Sequence, residues 1–76
     1  MNLPDGLVAI VKRDCPTCAL VVPVLAELGA DPTTRLTVVT QDDPTFPDGI
    51  DAIDDTDLTL SFALDLDTVP TLLRIE

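Results

Sequence analysis

A chain of 76 residues makes one domain spanning residues 1–76, near the lower size at which a single core holds a fold without a metal, disulfides or a partner. A formal charge of -10, from 14 acidic residues against Lys12, Arg13, Arg35 and Arg74, argues against a phosphate-backbone ligand and so excludes nucleic acid as a partner. No run approaches the ~18 apolar residues of a membrane span, and Met1-Asn2-Leu3-Pro4-Asp5-Gly6 lacks the basic region of a secretory signal. A soluble, cytoplasmic protein with no membrane partner is expected. The chain is 46% hydrophobic but 3% aromatic, so its core must rest on Leu, Val, Ile and Ala, with Phe46 and Phe62 as the only large rings.

In chain order, Pro4-Asp5-Gly6 reads as a turn, and residues 7–11, Leu7-Val8-Ala9-Ile10-Val11, as a strand buried on both faces. After the polar Lys12-Arg13-Asp14 comes Cys15-Pro16-Thr17-Cys18, which opens a helix that runs to a glycine stop at Gly29. Leu20, Val21, Val24, Leu25 and Leu28 share one helical face, expected to be core, and Pro23 inside the helix should kink it. Residues 36–40, Leu36-Thr37-Val38-Val39-Thr40, form a second strand, which a right-handed crossover makes parallel to the first. The cysteine turn then lies at the C-terminal edge of the first strand, where open α/β sheets place their sites. Residues 41–55, with Pro44, Pro47, Gly49 and six aspartates, read as an acidic loop insert and a solvated face. Residues 57–64 are expected to form a short helix capped by Asp55 or Thr56, with Leu58/Phe62 and Leu60/Leu64 paired four apart, although the alternation from Leu58 to Phe62 would also suit a strand. Thr68-Val69-Pro70 leads into a last strand over residues 71–76.

A Cys-x-x-Cys pair opening a helix carries specific chemistry. Unpaired N–H groups and the helix dipole favour a thiolate at Cys15, the nucleophile, while Cys18 one turn further in is placed to resolve a mixed disulfide formed on Cys15. Pro16 suits the first turn because no backbone donor is lost there. Lys12 and Arg13 lower the Cys15 pKa and Asp14 raises it, so the sequence does not sign the sum. Two blander readings compete. The pair could be half of a four-cysteine zinc site, but with no His and no further Cys a symmetric dimer would have to complete it. Or both cysteines are ordinary core residues. The aspartates of the insert do not keep the register of a calcium loop, so no metal and no other cofactor is expected.

Residues 8–18 followed by Pro23, and later Thr68-Val69-Pro70-Thr71-Leu72-Leu73, together resemble the thioredoxin superfamily over most of the chain. Pro23 stands five residues after Cys18, in the place of that family's kinking proline, and Val69-Pro70-Thr71 matches the context of its cis-proline. The resemblance implies an α/β fold of truncated thioredoxin-like design, in β-α-β-α-β order with two parallel strands and a final antiparallel one. It also implies a thiol–disulfide oxidoreductase in which Cys15 attacks and Cys18 resolves, with Pro16, Thr17, Val69 and Pro70 shaping the substrate-binding surface for a protein or small-molecule thiol or disulfide.

The chain departs from the family pattern at Asp14, where an aromatic residue is usual, and at Ala9, where a buried acid usually helps to move the resolving cysteine's proton. The expected fold is incomplete at the C-terminus, which would leave the last strand with an unpaired edge and one sheet face uncovered. Either the chain is part of a longer protein, the favoured expectation, or two chains pair through that strand as a homodimer. The competing functional reading is a non-catalytic thioredoxin-like docking or assembly module whose acidic insert faces a basic partner.

Overall fold

The computed structural model describes residues 3–75; Met1, Asn2 and Glu76, the last residue of the expected final strand, lie outside the described residues. Four strands and two helices follow one another as β1 (Gly6–Val11), α1 (Pro16–Ala30), β2 (Leu36–Thr40), β3 (Ala52–Asp54), α2 (Thr59–Ala63) and β4 (Thr71–Ile75). They form a small α/β domain around one mixed sheet of order β3-β2-β1-β4. β1, β2 and β3 run parallel to one another, and β4 lies antiparallel along β1 with Val8 opposite Leu73. The expectation of two parallel strands is therefore one short. Residues 41–55 are not loop throughout, because Ala52–Asp54 leaves the insert to pair with Val38–Thr40.

The central strand explains the two-layered core. Its apolar run alternates faces, so Ala9 and Val11 look one way and Val8 and Ile10 the other, all four at most 1% exposed. On the first face they meet Cys18 and Leu25 of α1, with Val38 and Phe46. On the second they meet Val39 and Leu60 of α2, with Leu64, Leu66, Leu73 and Ile75 around them.

Three expectations about the helices need correction. α1 passes through Gly29 to Ala30 and is closed by the Asp31 N–H bonding to the Leu28 carbonyl, so Gly29 is an ordinary helical residue and not the cap. Its apolar face is also wider than the stripe it buries. Cys18, Val21, Val22 and Leu25 point to the sheet, whereas Leu20 is 77% exposed and Val24 is 51% exposed. The cause is position, since α1 packs over β2 and leaves the β4 side open, where Val24, Pro70 and Leu72 border an apolar cleft of about 180 Å³.

α2 is shorter than expected. Leu58 stands before it in the left-handed region at φ 62, and the helix starts at Thr59. Phe62 is not core: it is 88% exposed, leaving Phe46 as the one buried ring. Leu60 faces the sheet, and Phe62, two residues on, sits about 200° round the helix at ~100° per residue.

What anchors α2 is Asp55, a residue only 2% exposed. It accepts the N–H of Leu60 at 2.8 Å, the N–H of Ser61 at 2.8 Å and the Ser61 hydroxyl at 2.6 Å. Asp55 thus satisfies the free donors of the first turn from three residues outside the usual capping position. Its own N–H bonds to the Thr40 carbonyl, which ties that cap to the end of β2.

Candidate functional site

β1 ends at Val11 and the chain turns into α1 through Lys12-Arg13-Asp14-Cys15. Cys15 is the N-cap of α1, in an extended conformation at φ -156, and Pro16 occupies the first helical position. The Cys15 sulfur accepts the N–H of Cys18 at 3.3 Å, doing with a thiol what an N-cap hydroxyl or carboxylate usually does. Both cysteines are free and come within 3.1 Å of each other. Cys15 is partly exposed, whereas Cys18 is fully buried and its sulfur accepts the N–H of Lys12 at 3.5 Å. From β4's side of the sheet, the Val69 carbonyl stands 3.8 Å from the Cys15 sulfur. The Val69–Pro70 peptide is cis, as is Phe46–Pro47, which nothing in the sequence singled out.

This geometry separates the two thiols. The hydrogen bond from the Cys18 thiol, and then the Cys18 backbone N–H, pull the Cys15 pKa below the ordinary thiol value. Partial desolvation opposes them, while the Thr17 N–H and the charge of Lys12 assist. Burial first, and the hydrogen bond to Cys15 second, push Cys18 up to about 11. The surroundings thus move the two thiols in opposite directions, Cys15 down and Cys18 up.

Four of the six aspartates of the acidic insert, Asp42, Asp48, Asp51 and Asp54, are exposed as expected of a solvated face, yet part of the insert also holds the turn that precedes Cys15. Asp42 accepts the backbone N–H of Arg13 at 2.7 Å and of Asp14 at 2.9 Å, gripping the turn that precedes Cys15. Arg13 reaches Asp43 and Asp48 with its guanidinium, 2.8 Å from the latter, and lies over the Phe46 ring at 5.2 Å. Exposed ion pairs of this kind contribute only ~0–1 kcal/mol each, so the two backbone bonds to Asp42 are the firmer link.

A cavity of about 530 Å³ opens beside Cys15. Of the residues singled out from the sequence, Cys15, Pro16 and Val69 line it and Cys18 lies buried beneath. Thr17 is exposed but not on its wall, and Pro70 faces the separate apolar cleft. The opposite wall comes from residues that sequence reading did not select: Leu58, Ser61 and Phe62 around α2, with Gln41 after β2. The Gln41 side-chain N–H donates to the Ser61 hydroxyl oxygen at 2.8 Å, and that hydroxyl donates to Asp55. Only the crossing of the chain at the sheet's C-terminal edge brings these residues to the cysteines. No local motif marks them.

Among the described residues, no group of three or more His, Cys, Asp or Glu side chains is arranged to hold a metal ion, and no helix is long and apolar enough to cross a membrane. Fold and site together define a small α/β domain with a mixed four-stranded sheet, carrying a Cys-x-x-Cys pair at the N-terminus of its longer helix. No family model, no curated protein and no solved structure matches the chain.

Proposed function

We propose that this domain performs thiol–disulfide exchange through Cys15 and Cys18, on a thioredoxin-like plan. The observation that carries the reading is the split between the two sulfurs: Cys15 at the helix N-terminus, open to a cavity with its pKa lowered, and Cys18 buried behind it with its pKa raised to about 11. In the forward step the Cys15 thiolate attacks one sulfur of a substrate disulfide. A Cys15–substrate S–S bond forms, the substrate S–S bond breaks, and the departing thiolate takes a proton from solvent. Cys18 then gives up its proton and attacks the Cys15 sulfur, closing the Cys15–Cys18 disulfide and releasing the second substrate thiol. The substrate gains two electrons that the dithiol loses, and a low-molecular-weight dithiol restores the pair.

Without an acid at Ala9, the proton of Cys18 has no buried carboxylate on β1 to receive it, which suits a specialised exchange domain better than a general reductase. On this reading the partners are protein or small-molecule disulfides in a reducing cytoplasm. The test is trapping. Cys18→Ser treated with bis(2-hydroxyethyl) disulfide should hold one mercaptoethanol adduct on Cys15, while the wild type ends without adduct as the closed disulfide. No adduct, or one that forms no faster than on the urea-unfolded chain, would contradict the proposal and leave the non-catalytic docking module as the better reading.

A further inference from the structure

The cavity beside Cys15 combines charged and apolar walls. Three charged side chains line it, Lys12 against Asp14 and Asp67, within a chain of net charge -10. The nearest other cation, Arg13, is already engaged by Asp43 and Asp48, so it offers no free charge to an incoming anion. The Val69 carbonyl faces the Cys15 sulfur, and one of the two Gln41 side-chain N–H groups donates to Ser61. On the rim stand two apolar side chains with nothing to cover them, Leu58 at 47% exposed and Phe62 at 88% exposed. A chain with only two aromatic residues places one of them at this mouth, where a bound apolar side chain would recover the burial that folding does not supply.

Building on the exchange reading above, we propose that the exchange partner is a cationic disulfide, carried on a positively charged polypeptide segment with an apolar residue beside the cystine. Anionic low-molecular-weight disulfides are disfavoured by Asp14, Asp67 and the field of the whole chain, which raises the local concentration of cations at the cavity mouth. Leu58 and Phe62 receive the apolar neighbour. The chemistry is the balanced exchange already given, with the Cys15–Cys18 dithiol oxidised as the partner's disulfide is reduced.

The experiment compares three small disulfides, cystamine (cationic), bis(2-hydroxyethyl) disulfide (neutral) and 3,3′-dithiodipropionate (anionic), with the dithiothreitol-primed wild type. Each rate constant is divided by that of free dithiothreitol with the same compound, which removes differences in intrinsic reactivity. At low ionic strength the normalised rates should fall from cystamine to dithiodipropionate by about tenfold or more, the scale of electrostatic steering. In about 0.5 M salt the spread should shrink to about twofold, because the screening length drops well below the cavity's size. Asp67→Lys should narrow the low-salt spread. With cationic peptide disulfides, wild type should prefer Leu over Gly beside the cystine, and Phe62→Ser should lose that preference. Turnover of all three small disulfides without the charge order would overturn the inference while leaving thiol exchange standing. Turnover of none would remove the exchange reading and this proposal with it.

Discussion

Replacing Asp55 tests how the second half of the fold is held. Its carboxylate is buried and accepts two backbone N–H groups and one hydroxyl. In Asp55→Ala the Leu60 and Ser61 N–H groups lose their acceptor in a place water barely reaches. Each such orphaned donor costs about 1–3 kcal/mol, so the pair costs about 2–6 kcal/mol. The Ser61 hydroxyl can turn elsewhere and is left out of the sum. A domain of this length has a total stability of about 4–11 kcal/mol, so the substitution consumes a large share of it. In urea, with a slope of about 1 kcal/mol per molar for so small a protein, the unfolding midpoint should drop by about 2 M or more. Asp55→Asn keeps one acceptor oxygen and should fall between. Circular dichroism read through the urea transition gives both numbers. An Asp55→Ala protein within about 0.5 kcal/mol of wild type would refute the cap described here.

Two glycine substitutions should move in opposite directions. Gly6→Ala must destabilise, because Gly6 has φ +124 and an added Cβ would collide with the Arg35 carbonyl oxygen and sit 2.8 Å from the Arg35 Cβ; about 1–3 kcal/mol is expected by urea unfolding. Gly29→Ala should stabilise by about 0.5–1 kcal/mol, since it is helical and the new methyl meets only Leu36 at an ordinary 3.8 Å. Stability should also depend on alkaline pH through Cys18. With its pKa raised to about 11 in the fold, Cys18 keeps a proton that the unfolded chain releases from about pH 8.5. Its contribution is full below that pH and is lost as pH rises toward 11, so wild type should lose more stability over this window than Cys18→Ala. Equal losses would contradict the burial of the thiol.

Where the sequence was informative, one physical signal dominated its neighbours. The β-branched runs at Leu7–Val11 and Leu36–Thr40 are long enough to declare themselves as strands, and proline beside cysteine marks the start of α1. β3 is only Ala52-Ile53-Asp54 amid aspartate, proline and glycine, and it exists because β2 offers an open parallel edge, which no local composition reports. α1 carries more apolar surface than its seat on the sheet can cover, so periodicity alone counted Leu20 and Val24 as core. In the same way α2 turns Leu60 to the sheet and so carries Phe62, on the opposite side of the helix, to the outside. At the site, the cysteines and Val69 were legible as a motif. The far wall at Leu58, Ser61, Phe62 and Gln41 lies far from Cys15 in sequence, and the Gln41–Ser61 bond and the grip of Asp42 on the turn join residues 20 and 29 apart.

The proposed role of Cys15 as a nucleophile working with Cys18 is tested most directly by steady-state turnover. Reduction of bis(2-hydroxyethyl) disulfide under limiting dithiothreitol should be accelerated by the wild-type protein in proportion to its concentration. It should fall to the protein-free rate with Cys15→Ser. Wild type at the protein-free rate, or Cys15→Ser as fast as wild type, would contradict the account.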